Sequence, residues 1–381
     1  PTPRGAQSGH RSPNARVPRG QLGAKRRRNF CRRAAHRPPP AQAFARSIRD
    51  GQHYYVPPFL GLFDHAIVTT NADMLTVPER IARRVLNAQG LRSRFIETRV
   101  GRMHVLDSTG GGNLPPIVML HGLSANAICY AGLLRRFAPH TRRVIAPDMP
   151  AHGFSAVPVG GLTDTAMVTA LSEVLDRVLA ESSEPAILVG NSMGGLAAIR
   201  YAIARPERVA ALALVSPGGA PMPAAQFAKF LATFDISSHR QALDFVDAVF
   251  ANGAGVLRHA LAHGIRQRFT HPQLRQLLAS ITPEQMLAPH ELSGLRIPTL
   301  LVWGREERVL PRTHLEFFRK HLPSHAEIEE WPNFGHIGFL EQPDALAARI
   351  LGFARATAAG AKNLSRRSTG CGDYATLRVS A

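Results

Sequence analysis

The run from Ile187 to Ala202, "ILVGNSMGGLAAIRYA", constrains the fold more than any other part of the chain. It is apolar before Ser192 and alanine-rich after it, and the serine sits between Gly190 and Gly194 with Gly195 adjoining. Glycine is costly inside a strand or a helix, so three around one hydroxyl mark a sharp turn where backbones pass close together. A strand entering such a turn and a helix leaving it would hold the serine in a strained conformation at the end of a sheet. The G-x-S-x-G pattern alone is common in chains of this size. The strand before it and the helix after it give it meaning, and the competing reading is a plain glycine-rich turn.

The surrounding sequence supplies that setting. "SRFIETRV" and "RMHVLD" alternate apolar and polar residues, like two antiparallel strands turning at Gly101. "IVMLHG", "RRVIAPD", "AILVG", "VAALALVSPGG", "PTLLVWG" and "AEIEEWP" are short apolar runs of the kind buried parallel strands show. Between them, "YAGLLRRFA", the span Thr163 to Ala180 and the segment from Met193 have helical spacing. Strands alternating with helices predict a mostly parallel sheet covered on both faces. Residues 217–293 break the alternation: "QFAKFLATF", "LDFVDAVF", "VLRHALAHGIRQRF" and "HPQLRQLLASI" are all helical in pattern. They predict a helical cap inserted between two strands.

The main folded domain is expected at residues 93–357, preceded by a partly helical extension at 51–92, where "VPERIARRVLNAQG" reads as a helix. The formal net charge is +19, but residues 1–50 hold 13 Lys/Arg against one acid, and residues 360–381 hold four against one. The centre is nearly balanced, so the basicity belongs to the ends. Residues 1–50 are rich in Arg, Pro, Gly and Ala and lack apolar periodicity, which predicts a disordered basic tail. Residues 358–381 are expected to form a disordered C-terminal tail. Weak contact of the basic tail with an anionic membrane or nucleic acid is the partner expectation from charge, with no defined protein partner. "AKRRRNF" is followed by "CRRAAHRPPP" rather than by the apolar segment an export signal needs. Cys31, Cys129 and Cys371 are odd in number and widely spaced, neither a disulfide framework nor a metal motif, and fit a reducing, cytoplasmic location.

A serine hydroxyl is a weak nucleophile that needs a base, and the base needs an orienting acid. "LLVWGREERVLP" ends a strand in Glu306 and Glu307, and "EEWPNFGHIGFLEQP" ends another at His336. Two residues between "WG" and the acid favour Glu307, with Glu306 the alternative. Oxyanion donors are expected from the backbone N–H groups of Met193, after the serine, and Leu123, in the loop after "IVMLHG". His121 and His152 sit in turns ahead of the serine. His259 and His263 are spaced like metal ligands on a helix, but no third ligand is evident, so neither metal nor organic cofactor is expected.

Taken together, "LHGLSAN", "DMPAHGFS", "VGNSMGG", "WGREERVLP" and "FGHIGFLEQP" resemble the α/β-hydrolase superfamily across about residues 93–357. The likeness is greatest to monoacylglycerol lipase-type serine esterases. "GNSMGG" and "VSPGGAP" are also similar to the meta-cleavage-product hydrolases, although Ser124-Ala125 and Ile337 depart from that pattern. The resemblance implies an α/β-hydrolase fold and an esterase or lipase acting on a small ester, with Ser192, Glu307 and His336 as a triad. The usual family acid at the position of Glu307 is Asp. C–C bond hydrolysis of ring-fission products is the alternative, and a non-catalytic ligand-binding relative is a third reading. Phe227, Phe230, Phe234 and Ile337 are the candidate acyl-pocket residues, against simple packing between cap and core.

Overall fold

A computed structural model describes residues 77–158 and 160–369. The basic tail at 1–50, the extension up to residue 76 and residues 370–381 lie outside the described residues.

Eight strands form one sheet: β1 (Arg92–Thr98), β2 (Gly101–Thr109), β3 (Ile117–Leu120), β4 (Arg143–Pro147), β5 (Ala186–Ser192), β6 (Val209–Pro217), β7 (Thr299–Gly304) and β8 (Glu327–Trp331). Their order is β1-β2-β4-β3-β5-β6-β7-β8. β1 with β2 and β2 with β4 are antiparallel, and all later pairs are parallel. The helices are α1 (Val77–Ala88), α2 (Ala131–Phe137), α3 (Asp164–Ala180), α4 (Met193–Ala204), α5 (Ala224–Ala232), α6 (His239–Val249), α7 (Arg258–Phe269), α8 (Pro272–Ser280), α9 (Pro289–Ser293), α10 (Arg312–His321), α11 (Gly338–Glu341) and α12 (Pro343–Thr369). This is an α/β-hydrolase fold.

The solid apolar runs become strands because both faces of the sheet are covered. On β5, Ala186 and Leu188 enter one core and Ile187 and Val189 the other. β7 does the same, with Leu301 and Trp303 on one face and Leu300 and Val302 on the opposite one. Alternate residues of each strand face opposite layers, so a strand buried on both sides has no polar positions to spare. α3 covers one face with Met167, Ala170, Leu171, Val174, Leu175 and Val178 at three- and four-residue intervals. Thr163 caps it, its Oγ1 accepting from Ala166 N at 3.2 Å. α2 and α12 cover the other face.

Two boundaries differ from expectation. Leu86 of α1 and Leu91 are 2% and 3% exposed and belong to the core, so packing begins before residue 93. Burial of one leucine side chain stabilises by about 1.5–3 kcal/mol, enough to hold a short helix to the domain. At the other end, α12 continues to Thr369, and the tail expected from 358 is helical over its first part. The alanines of "ATAAGAK" carry the helix onward, since alanine has the best helix propensity of any residue. Helices α5 to α9 occupy the interval between β6 and β7. Among the described residues no helix is long and apolar enough to cross a membrane.

Candidate active site

Ser192 is the last residue of β5 and the N-cap of α4, at φ 54° and ψ −122°. That region is costly for any residue with a Cβ, by about 1–3 kcal/mol, and persists only where the surroundings enforce it. The flanking glycines show how. A Cβ on Gly190 would lie 2.4 Å from the Gly194 carbonyl oxygen, and one on Gly194 would lie 2.0 Å from that of Leu120. Neither position tolerates a side chain, so β5, α4 and β3 converge there.

The loop leaving β3 lies against the serine, since a Cβ on Gly122 would be 3.1 Å from Ser192 Cβ. His121, fully buried, shapes the loop. Its Nε2 accepts from Met149 N at 2.9 Å and its Nδ1 donates to Gly122 O at 2.8 Å. Burial lowers its pKa, which keeps it neutral in this role. Ser124 turns the loop at φ 61°, and Asn126 Oδ1 accepts from Ile128 N at 3.1 Å where the next 3-10 turn begins. Leu123 therefore sits in a loop that abuts Ser192, and Met193 is the first residue of α4.

His336 lies between β8 and α11, and its backbone is tied to the residue before Ser192. Asn191 Nδ2 donates to His336 O at 2.9 Å and to Val215 O at 3.0 Å. Two carboxylates hold the preceding turn: Glu306 accepts from Phe334 N at 3.0 Å and Glu341 from Gly335 N at 2.8 Å. Of the two candidate acids, Glu307 reaches the imidazole, with Oε2 2.8 Å from His336 Nδ1. Glu307 Oε1 accepts from Val309 N at 2.8 Å and Leu310 N at 3.0 Å. Burial pushes this carboxyl up, but His336 and the two amides outweigh it and hold the pKa below its ordinary value. An ionised carboxylate only accepts, so the Nδ1 facing it carries a proton, and in the neutral imidazole Nε2 then keeps its lone pair. The imidazole is thus held in the tautomer a general base requires.

The other candidates fall in different places. Phe234 packs within an aromatic cluster, 5.1 Å from Phe230, 6.0 Å from Phe245 and 6.1 Å from Phe269 between ring centres. Phe227 is buried, Phe230 also faces the His314 ring at 5.9 Å, and Ile337 packs with the other core layer. His259 pairs across helices with His239, at 3.2 Å, rather than with His263. Among the described residues no three His, Cys, Asp or Glu side chains group as metal ligands do.

Sequence reasoning missed Asn191, Glu341 and a buried constellation at Ser93, His104 and Asp148. His104 Nδ1 lies 2.7 Å from Asp148 Oδ2, and Ser93 Oγ lies 2.6 Å from His104 Nε2. This copies the connectivity of a catalytic triad, but Ser93 is in regular strand β1 and its own N–H is taken by Asn87 Oδ1. Asp148 instead anchors backbone, accepting from Ala127 N at 2.6 Å and Phe154 N at 2.8 Å.

Residues 117–349 match the family described as "Alpha/beta hydrolase family". The chain belongs to that family. It is similar to monoacylglycerol lipase abhd6-B of Xenopus laevis, 26% identical over 258 residues, covering 64% of this chain and 76% of the relative. It is also similar to 2-hydroxy-6-oxo-6-phenylhexa-2,4-dienoate hydrolase of Burkholderia cepacia, 28% identical over 271 residues, covering 66% and 91%. Among solved structures, naproxen esterase from Bacillus subtilis shares the fold with a TM-score of 0.59 and 22% identity, over 72% of this chain and 96% of that one.

Proposed function

We propose that the protein hydrolyses a carboxylic ester, of monoacyl or other lipid-like type, through an acyl-enzyme on Ser192. One observation carries this reading: His336 is fixed in the base tautomer by Glu307 at 2.8 Å and tied to the residue preceding Ser192. Ser192 Oγ attacks the ester carbonyl while His336 Nε2 takes its proton. The Leu123 and Met193 N–H groups stabilise the negative charge that develops on the carbonyl oxygen. Collapse of the tetrahedral intermediate breaks the C–O bond, and His336 gives its proton to the departing alcohol. Water, deprotonated by the same imidazole, then releases the acid and restores the serine.

Helices α5 to α9 form the cap in this reading, with Phe227, Phe230, Phe234 and Ile337 as acyl contacts. The lipid-like substrate is supported by the relative named as a monoacylglycerol lipase. A C–C hydrolase is the second reading, favoured by the relative named as a 2-hydroxy-6-oxo-6-phenylhexa-2,4-dienoate hydrolase.

The test is labelling with a fluorophosphonate, located by peptide mass, followed by an ester panel of varied acyl length and one vinylogous diketone. Labelling at Ser192 with ester turnover supports the proposal. Turnover of the diketone alone selects the second reading. Neither labelling nor turnover would mean a binding protein built on the same fold.

A further inference from the structure

Helix α1 lies ahead of the stretch that matches the family, and it leaves apolar side chains on its outer face while burying a carboxylate on its inner one. Val77, Ile81 and Val85 face outward at 51%, 38% and 40% exposure, while Glu79 is 5% exposed on the inner side with Leu86. A buried carboxylate is costly unless it is paired and hydrogen-bonded. Glu79 meets that condition through two separate parts of the site. Its Oε1 accepts from Asn126 Nδ2 at 2.6 Å and also pairs with the Arg268 guanidinium.

The two partners do different work. Asn126 ends the loop that begins at Gly122, and its other side-chain atom caps the turn that follows by accepting from Ile128 N. The next residue, Ala127, is pinned by Asp148. Fixing the Asn126 amide therefore fixes the far end of the loop that carries Leu123. Arg268 belongs to α7 and precedes Phe269, which is buried against Phe234 and Phe245. One oxygen atom thus joins the loop after β3 to the helical segment between β6 and β7.

We propose that Glu79 is a positioning residue, a latch by which α1 couples the placement of the cap to the loop that carries the Leu123 donor. Its kinetic consequence rests on the serine-hydrolase reading, whereas its mechanical consequence does not. The Asn126 arm acts on the transition state of every ester, because it holds an oxyanion donor. The Arg268 arm acts on substrates long enough to reach the cap.

The substitutions separate the arms. Glu79→Gln keeps an acceptor for Asn126 and removes the charge that pairs with Arg268. With this variant kcat on a short p-nitrophenyl ester should stay within about twofold, while KM for a medium-chain ester should rise about fivefold. Arg268→Gln should reproduce that rise, and the double variant should be no worse than either single one, because both remove the same pair. Glu79→Ala should in addition lower kcat about tenfold on all chain lengths, since it frees the oxyanion loop. Amide hydrogen exchange in the full chain reads the mechanical part directly. In Glu79→Ala, residues 122–130 and 258–269 should both exchange about tenfold faster, with 186–192 and 209–217 unchanged. Faster exchange in α1 alone, or additive KM effects in the double variant, would overturn the latch. A parent protein that neither labels at Ser192 nor turns over esters would overturn the hydrolase reading, and the paired exchange response would then decide the latch by itself.

Discussion

Asn191 Nδ2 lies 2.9 Å from the carbonyl oxygen of His336, so the residue before Ser192 holds the backbone of His336. The same NH2 group reaches Val215 O on β6, and Asn191 is only 4% exposed. Both hydrogens are used, and the amide cannot turn without abandoning one carbonyl. Asn191→Leu keeps the volume and removes both donors. Each stranded carbonyl costs about 1–3 kcal/mol. We expect a lower melting temperature and a kcat/KM reduced at least about tenfold, because the base drifts from its register. Activity within twofold of the parent would show that the other contacts of the His336 turn suffice.

Glu306 and Glu307 should respond differently to the same chemical change. Glu307→Gln replaces an acceptor-only group and no longer selects the imidazole tautomer, so kcat should fall by about three to four orders of magnitude. Glu306→Gln keeps an acceptor for Phe334 N and should be nearly normal, whereas Glu307→Asp, shorter by one methylene, should retain part of the activity. Steady-state kinetics of the three variants on one soluble ester checks the ranking, and its reversal would transfer the acid role to Glu306.

Ser192→Ala should abolish turnover and leave stability close to that of the parent, since alanine meets the same backbone strain at φ 54°. Ser192→Gly should be equally inactive and more stable than Ser192→Ala by about 1 kcal/mol, after allowance for the greater freedom of glycine in the unfolded chain. Urea denaturation of the two inactive variants makes the comparison. Equal midpoints would mean that the elbow is relaxed.

Phe230 of α5 and Phe234, just beyond its end, separate pocket from packing. Phe234 touches three aromatic rings, so Phe234→Ala should cost about 3–5 kcal/mol and reduce turnover of all esters alike. Phe230, half-buried beside His314, should alter selectivity instead. Phe230→Ala should change the kcat/KM ratio between short and medium acyl esters by about tenfold. An unchanged ratio would assign Phe230 to packing as well.

Acid stability should reflect two buried histidines. Burial pushes His152 down to about 3 and His314 down to about 4, whereas in the unfolded chain each ionises near the ordinary histidine value of 6.5. Their folded pKa values are depressed, so the unfolded state binds more protons from pH 6.5 down to about 4. Stability should be level above that window and fall within it by up to about 1.4 kcal/mol per pH unit for each group. His314→Leu should make the fall shallower by about one proton's worth. Denaturation midpoints at pH 7.5, 6 and 5 would test this, and an unchanged slope in the variant would count against it.

Local chemistry made much of this molecule legible before any coordinates. The apolar runs that become β3, β5, β6 and β7 read clearly because strands buried on both faces have no polar alternation to confuse them. The turn at Ser192 reads clearly because a strand pattern precedes the G-x-S-x-G and a helical pattern follows it. Spacing favours Glu307 over its neighbour Glu306 as the acid, but which of the two meets His336 depends on the way the turn after β7 faces, a tertiary fact. Asn191 is not legible in the motif because its partner, the His336 carbonyl, lies on a different loop. Glu79 was unreadable for a similar reason: a glutamate in the first turn of a helix is ordinary, and only the arrival of Asn126 and Arg268 makes it otherwise. The length of α12 was misread because an alanine- and glycine-bearing segment at the end of a chain gives no apolar period to follow.

The contact between Asn191 and His336 spans 145 positions of the chain. During synthesis Ser192 leaves the ribosome long before His336, whose imidazole activates it in the proposed function. An unfinished chain carries a bent β5–α4 junction without a base, a tethering carbonyl or the last strand of the sheet. On the proposed function, the chemistry waits for translation through β8 and the turn that follows it. A chain terminated before His336 would be inert toward its substrate, however well its earlier strands had formed.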